Sequence, residues 1–314
     1  MSPAEIIGRI IANVEKVIVG KIDVVRLILT AVMANSHVLL EDVPGTGKTM
    51  LARALATSID CVCKRVQFTP DLLPMDVTGT MVFNPQSSEF TFKRGPIFTN
   101  VFLADEVNRA TPRTQSSLLE VMEERQVSLD GAAYPMARVF FVLATQNPIE
   151  QHGTFPLPEA QLDRFLMKLT MGYPGPAGER TMLESHVRGS PISEIRPVVS
   201  LREFAALQTW VRRRVTVAPE VMTYVLGVVQ ALREHGDLAL GPSPRASIAL
   251  MRAGMAYAAL EGRDYVIPDD VKFLAPRVLG HRLVLKPGAL IKKVRPEDIV
   301  GTVLGRVAVP TVRS

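Results

Sequence analysis

The 314-residue chain is 47% hydrophobic and 21% charged, the balance of an ordinary soluble globular protein with room for about two domains. Its 36 basic and 31 acidic residues give a net charge of +5 without long blocks of one sign, which permits nucleic-acid binding but does not argue for it. The longest apolar run, near residues 24–34, is interrupted by Arg26 and is shorter than the roughly 20 residues of a membrane span.

The amino-terminal residues lack the basic segment and apolar stretch of a signal peptide. Cys61 and Cys63 lie one residue apart without a nearby histidine, which predicts neither a zinc site nor a disulfide. We therefore expect a cytoplasmic protein that is not inserted in a membrane.

The chain begins with two predicted helices, at residues 3–16 and 21–35, followed by a short strand at 37–40. Between the helices, Val17–Gly20 form a brief apolar stretch that ends in glycine.

The segment from Asp42 to Thr49 has the pattern of a phosphate-binding loop between a strand and a helix. Backbone N–H groups of such a loop and the helix amino terminus attract phosphate, while Lys48 is expected at the β- and γ-phosphates and Thr49 on Mg²⁺. Asp42 stands where the usual pattern has glycine, so the match is incomplete. A simple tight turn, the alternative, leaves the Lys48–Thr49 pair unexplained. The expected nucleotide contacts here are Pro44, Gly45, Thr46, Gly47, Lys48, Thr49 and Met50.

Further strands are predicted at residues 62–68, 100–106 and 139–145, with a helix at 112–125. The second and third of these strands are continuous apolar runs, which are typical of strands covered on both faces in a parallel sheet. Strands that alternate with helices across residues 37–170 indicate a three-layer αβα core.

Two β-hairpins interrupt this order. The first has arms at Thr80–Phe83 and Phe90–Lys93, and the second at Gln126–Leu129 and Ala132–Met136. Alternation places aromatic side chains on one face of the first hairpin. It either covers the domain or presents these aromatics to a partner.

A cluster of glycine and proline at residues 172–176 predicts a domain boundary. We assign residues 1–174 to an α/β nucleotide-binding core and residues 175–314 to a helical lid, with short β pieces near 283–285. The predicted lid helices are 177–188, 200–213, 219–235, 245–261 and 269–279.

Two carboxylates end the predicted strand at residues 100–106, and they fit the second half of an ATPase site. Asp105 would hold Mg²⁺ and Glu106 would polarise the attacking water. Asn147 ends the next strand, where its amide would orient the same water or instead cap the turn before Pro148.

Two arginines are candidates for stabilising negative charge in phosphoryl transfer. Arg164 fits an arginine supplied by a neighbouring subunit, or a structural ion pair with Asp163 or Glu159. Arg245 begins a lid helix and could contact the γ-phosphate as the domains close, or could be an exposed helix-start residue.

Together these segments resemble the MoxR family of AAA+ ATPases, and the likeness covers nearly the whole chain. The motifs that carry it are Glu41–Thr49, Leu103–Ala110, Ala144–Pro148, Leu157–Phe165 and Pro242–Ala246.

The resemblance implies ATP and Mg²⁺ as ligands, and it assigns Asn147 to sensor 1, Arg164 to the arginine finger and Arg245 to sensor 2. It places Val19 and Gly20 beside adenine and accommodates Asp42. It leaves open whether Arg245 acts within its own subunit. The two hairpins match the insertions of this clade.

The resemblance also implies an ATP hydrolase that works as a homo-oligomer, a hexameric ring, and remodels, matures or inserts metal into client proteins. A partner with a von Willebrand factor A domain is expected, and the client is not identified. One alternative is a nucleic-acid motor or clamp loader, which is disfavoured because we recognise neither a winged-helix module nor a long basic tail. Another is a nucleotide-dependent switch or scaffold with low turnover, against which the intact Glu106 argues.

Overall fold

A computed structural model describes residues 2–86, 88–148 and 153–310 of the chain. The strands are β1 Val38–Glu41, β2 Cys63–Gln67, β3 Gly79–Asn84, β4 Glu89–Arg94, β5 Val101–Asp105, β6 Gln126–Leu129, β7 Ala132–Pro135, β8 Phe141–Gln146, β9 Met167–Leu169, β10 Leu238–Leu240 and β11 Val284–Leu285.

Helices lie on both faces of the central sheet and make up most of the carboxy-terminal region. They are α1 Pro3–Glu15, α2 Ile22–Met33, α3 Lys48–Ser58, α4 Pro74–Thr78, α5 Pro112–Glu124, α6 Glu159–Leu162, α7 Pro176–Arg188, α8 Leu201–Arg214, α9 Pro219–Arg233, α10 Pro244–Leu260, α11 Pro268–Leu279, α12 Pro287–Ile291 and α13 Pro296–Leu304. Many begin with proline, whose missing N–H costs nothing in a first turn.

Within the described residues the central sheet has five strands in the order β2-β5-β8-β1-β9, all parallel. In β1, Val38 and Leu40 point to the side covered by α1, α2 and α3, whereas Leu39 points to the side covered by α5. Burial on both faces explains the continuous apolar runs. The predicted α/β core with a helical lid is confirmed.

Both predicted hairpins form. In the first, β3 pairs with β4 so that Met81 lies opposite Phe92 and Phe83 opposite Phe90. Phe92 stacks at 4.1 Å on Tyr134 of β7, which joins the base of the first hairpin to the second. At the tip, Phe83 and Phe90 lie 5.3 Å apart and are 49% and 66% exposed.

The lid contains elements that the sequence did not predict. The β piece expected near residues 283–285 is β11, and its antiparallel partner β10 was not expected. Helices α12 and α13 of the lid were also not predicted. Outside the lid, α4 forms in the turn-rich stretch after β2, where no helix was predicted.

The boundary at residues 174/175 stays a prediction. The apolar cluster on the α1–α3 side of the sheet continues without a break into α8, α9, α10 and α11. Within residues 2–86, 88–148 and 153–310, every helix is too short or too polar to cross a bilayer.

Candidate nucleotide site

The loop between β1 and α3 has the backbone of a phosphate-binding turn. Gly45 and Gly47 have φ of +84° and +89°, a left-handed conformation that only glycine adopts readily. Gly47 immediately precedes α3, so the first N–H groups of the helix point into the loop.

Lys48 lies across the same turn. Its Nζ donates hydrogen bonds to the carbonyl oxygens of Asp42 and Val43, at 3.0 and 3.1 Å. Thr49 and Met50 complete the first turn of α3, and Met50 packs partly against the core. The residues expected to grip phosphate are therefore brought together at the carboxyl end of β1.

Asp42, the departure from the usual pattern, is buried and accepts three backbone hydrogen bonds. Its Oδ1 accepts from Val43 N–H at 2.8 Å, and its Oδ2 accepts from the N–H groups of Met171 and Gly172 at 3.0 and 2.8 Å. The carboxylate thus fastens the phosphate loop to the segment that follows β9. This role was not found from the sequence.

Val19 and Gly20, expected beside adenine, form the turn between α1 and α2. The adjoining Lys21 donates from Nζ to the Tyr173 carbonyl at 2.7 Å, and the Val19 carbonyl lies beside Gly178. This turn and the phosphate loop therefore flank the same stretch, residues 171–178, as a nucleotide spanning the two would require.

The candidate carboxylates are held by Thr145 of β8. The Thr145 hydroxyl donates to Asp105 Oδ1 at 2.6 Å and accepts from the Glu106 N–H at 2.8 Å. Glu106 has φ of +56°, in the left-handed region that residues other than glycine seldom adopt. Arg65 of β2 donates from Nε to Asp105 Oδ2 at 3.0 Å.

Among the described residues, the Glu106 carboxylate contacts Gln67 and Arg109. Its Oε2 accepts from Gln67 Nε2 at 2.6 Å and lies 3.2 Å from Arg109 Nη1. Asn147 follows β8 and is 5% exposed, with its carbonyl 3.4 Å from Asn108 Nδ2.

Glu41 pairs with Gln146 and Gln67 pairs with Asp105, so the carboxyl ends of these strands are aligned. The carboxylates and their polar neighbours therefore lie at the same end of the sheet as the phosphate loop. Four polar side chains of this cluster, Arg65, Gln67, Arg109 and Thr145, were not found from the sequence. Strand ends were the available signal, but the order of strands in the sheet was needed to use it.

Arg164 and Arg245 lie elsewhere. Leu166 N–H donates to the His37 carbonyl at 2.9 Å, and β9 runs parallel to β1 from Met167, so Arg164 precedes the amino end of β9. Both arginines therefore lie near the amino ends of the strands, whereas the phosphate loop lies at the carboxyl ends.

One carboxylate contacts both arginines. Arg164 Nε lies 3.2 Å from Glu123 Oε2, and Arg245 Nη2 lies 2.6 Å from Glu123 Oε1. The structural partner of Arg164 is thus Glu123 rather than Asp163 or Glu159.

Asp163 is engaged with the lid. Its carboxylate accepts from Ser243 Oγ at 3.0 Å and from Arg282 Nε at 2.6 Å. Arg282 is 6% exposed and also donates to the Phe165 carbonyl at 2.6 Å. The segment that carries Arg164 is in this way clamped to the lid.

The donor set fits a magnesium nucleotide. Mg²⁺ retains several waters and takes few protein ligands, commonly a hydroxyl or carboxylate together with phosphate oxygens. Thr49 and Asp105 provide this kind of set, and the described residues contain no cluster of three or more His, Cys, Asp or Glu side chains suited to a metal held by protein alone.

A parallel sheet with this phosphate loop, adjacent strand-end carboxylates and a helical lid defines a P-loop nucleotide-binding protein of the AAA+ class. Residues 37–167 match the family model described as the ATPase family associated with various cellular activities, and residues 230–303 match the AAA lid domain.

Relatives match over nearly the full length. The chain is 50% identical to the YeaC protein of Bacillus subtilis (98% of this chain, 96% of the relative) and 42% identical to "Chaperone MoxR1" of Mycobacterium tuberculosis (98% and 83%). It is 31% identical to "Protein MoxR" of Methylorubrum extorquens (95% and 93%).

A crystal structure of a Cytophaga hutchinsonii protein assigned as an ATPase superposes with a TM-score of 0.92 at 37% identity (98% and 96%). The chain belongs to the MoxR family of AAA+ ATPases.

Proposed function

We propose that this protein hydrolyses ATP at the interfaces of a homo-oligomeric ring, a hexamer, and uses the energy for chaperone-like remodelling of client proteins. The observation that carries the proposal is the placement of Lys48 at the carboxyl ends of the strands and of the two candidate arginines at their amino ends. This arrangement supports a site completed by two subunits.

The length of β1 separates the phosphate loop from the two arginines. A strand rises about 3.3 Å per residue, so the four residues of β1 alone place its two ends about 10 Å apart. Arg164 and Arg245 lie at the amino end of the strands, away from the phosphate loop of their own subunit. In our proposal each acts on the nucleotide of a neighbour, which gives Arg245 a role in trans.

Within the site, the loop N–H groups and Lys48 bind the phosphates, and Glu106 accepts a proton from the attacking water at its carboxylate. Gln67 and Arg109 orient that carboxylate, and Asn147 positions the water. Mg²⁺, held by Thr49 and Asp105, would neutralise negative charge on the phosphates. Arg164 and Arg245 would stabilise the transition state from the next subunit.

The remodelling role rests on the relative named as a chaperone and on the exposed aromatic tip of the first hairpin. Because its base is fixed to the second hairpin, the tip is a suitable lever for passing motion to a client. Maturation by metal insertion, and a partner with a von Willebrand factor A domain, belong to the same proposal.

Subunit mixing tests the shared site. Lys48→Ala supplies arginines without binding nucleotide, and Arg164→Ala binds nucleotide without supplying its finger. Each variant alone should be inactive, and mixtures should recover ATPase activity because some interfaces pair an intact loop with an intact arginine. Mixtures as inactive as the single variants would contradict the proposal.

Glu106→Gln tests the hydrolytic assignment. The amide keeps the shape of the side chain but cannot take a proton, so turnover should fall at least about 100-fold. ATP binding, measured by calorimetry, should change less than about threefold, since the loop and Lys48 are untouched. Unchanged turnover would refute the role of Glu106 and reopen the low-turnover switch.

A further inference from the structure

Glu123 is placed to join the two arginines of the proposed shared site. It lies one residue before the end of α5, and its two carboxylate oxygens contact arginines from two other elements. Arg164 comes from the segment before β9, and Arg245 from the first turn of α10 in the lid. No motif of the sequence pointed to Glu123.

The contact with Arg164 leaves the useful end of the guanidinium available. Glu123 Oε2 lies 3.2 Å from Arg164 Nε, which has no hydrogen-bond partner among the described residues, so the contact is an ion pair on the Nε side and leaves Nη1 and Nη2 as the outer N–H groups. A guanidinium binds phosphate oxygens through a pair of N–H groups, and the Nη pair provides one.

The cavity around Glu123 contains more arginines than acids. The cavity has a volume of about 380 Å³ and is lined by five arginines but only two acids, Glu123 and Asp163. Asp163 is engaged with Arg282. Glu123 is therefore the carboxylate that offsets the repulsion between Arg164 and Arg245.

A second contact keeps the same two chain segments together. Asp163, which precedes Arg164, accepts from Ser243, which lies two residues before Arg245. The segment that carries Arg164, here called the finger segment, is thus connected to the start of α10 in two ways. Asp163 binds Ser243 directly, and Glu123 bridges Arg164 and Arg245.

We propose that Glu123 is a positioning residue that fixes the spacing of Arg164 and Arg245, so that the two meet the terminal phosphate of a neighbouring subunit's nucleotide as one unit. This rests on the shared site proposed above. Glu123 does not touch the nucleotide, and it acts on the site of the next subunit rather than on its own.

The subunit-mixing assay separates this role from a general structural one. The arginine donor is Lys48→Ala, and the nucleotide-binding recipient is Arg164→Ala. Glu123→Gln is added either to the donor or to the recipient. In the donor it should lower the recovered kcat about tenfold or more, with little change in KM for ATP, because the arginines lose their alignment. In the recipient it should have no effect, because the finger of that subunit is already absent.

Glu124→Gln in the donor is the matched control, since it removes the same charge one residue further along. It should leave recovery within about twofold. Equal losses with Glu123→Gln in donor and recipient, or no loss in the donor, would overturn the proposal. If the parent mixture of Lys48→Ala and Arg164→Ala stays inactive, the shared site itself is refuted and the role of Glu123 falls with it.

Assembly provides a readout that does not depend on turnover. In a Glu106→Gln background, sedimentation velocity measures association with ATP and with ADP. Glu123→Gln should raise the protein concentration needed for half-assembly with ATP by about fivefold or more, since the paired arginines contact a terminal phosphate. With ADP it should change nothing, and an equal shift with both nucleotides would overturn the proposal.

Discussion

Asp42 shows how one side chain can anchor a phosphate-binding loop without being one of the groups expected to bind phosphate. Its carboxylate accepts hydrogen bonds from three N–H groups, one in the loop and two in the segment after β9, while its carbonyl oxygen accepts from Lys48. The loop is consequently held by the segment that follows β9 as well as by its own turn.

Asp42→Asn should lower the free energy of unfolding by about 1–3 kcal/mol, because an NH₂ group would replace one acceptor and face a donor. Urea denaturation measures the change. Asp60→Asn, the same substitution at an exposed residue, is the control and should stay within about 0.5 kcal/mol. Equal stabilities of the Asp42 variant and wild type would contradict this account.

His37 links three elements near the amino edge of the sheet. Its Nδ1 accepts from Val142 N–H at 3.0 Å and its Nε2 donates to the Met122 carbonyl at 3.1 Å, which requires the neutral ring. Burial, helped by the charge of Arg125, lowers the pKa of His37 from 6.5 to about 3.

Since the unfolded state binds this proton first, the stabilisation is complete above about pH 6.5 and is lost as the pH falls toward 3. His37 should therefore contribute a slope of up to about 1.4 kcal/mol per pH unit between pH 6 and 4. Denaturation at several pH values should show a shallower slope for His37→Gln than for wild type. Identical slopes would show that His37 does not carry this dependence. His281, whose pKa burial also lowers, adds to the wild-type slope in the same direction.

At the scale of elements, the two hairpins are joined by an aromatic contact. Phe92 at the base of the first contacts Phe98 as well as Tyr134 of the second, whereas Phe83 and Phe90 at the tip contact each other. The base of the first hairpin therefore packs against other elements, whereas the aromatic side chains at its tip pack on each other and remain exposed.

Phe92→Ala should destabilise the protein by about 1–3 kcal/mol, since it removes the stack on Tyr134 and the contact with Phe98. Phe90→Ala, its partner in design, should cost less than about 1 kcal/mol because only a cross-strand pair is lost. Thermal or urea unfolding of both variants is the measurement. A larger loss from Phe90 than from Phe92 would mean that the tip is part of the core.

The lid is joined to the core by a buried arginine. Arg282 binds Asp163 and backbone carbonyls of the finger segment, and burial lowers its pKa while Asp163 opposes that effect. A guanidinium suits this task because its fixed fork of donors can satisfy several acceptors at once.

At the scale of the whole molecule, local pattern was sufficient for the phosphate loop, the strand-end carboxylates and the hairpins. Glycine conformation, apolar runs and alternation are properties of short segments, so Gly47, Asp105 and Phe83 could be located without a fold. The helical lid followed from the same periodicity.

The partners of these residues could not be predicted. Glu123 and Arg164 are 41 positions apart in the sequence, and Gln67 and Glu106 are 39 apart, so their contacts depend on sheet order and helix packing. Asp42 was visible as an exception to a pattern, but its partners Met171 and Gly172 offer only backbone N–H groups, which carry no sequence signal.

The opposite placement of loop and arginines gives each subunit a front and a back. Subunits that pair in the proposed manner join head to tail, an association that closes into a ring or winds into a filament but does not produce a two-fold dimer. Each protomer then supplies arginines to the nucleotide of one neighbour, and its own nucleotide receives arginines from the other neighbour. Every interface of such a ring has the same orientation, so the assembly has a direction around its axis that no single subunit has.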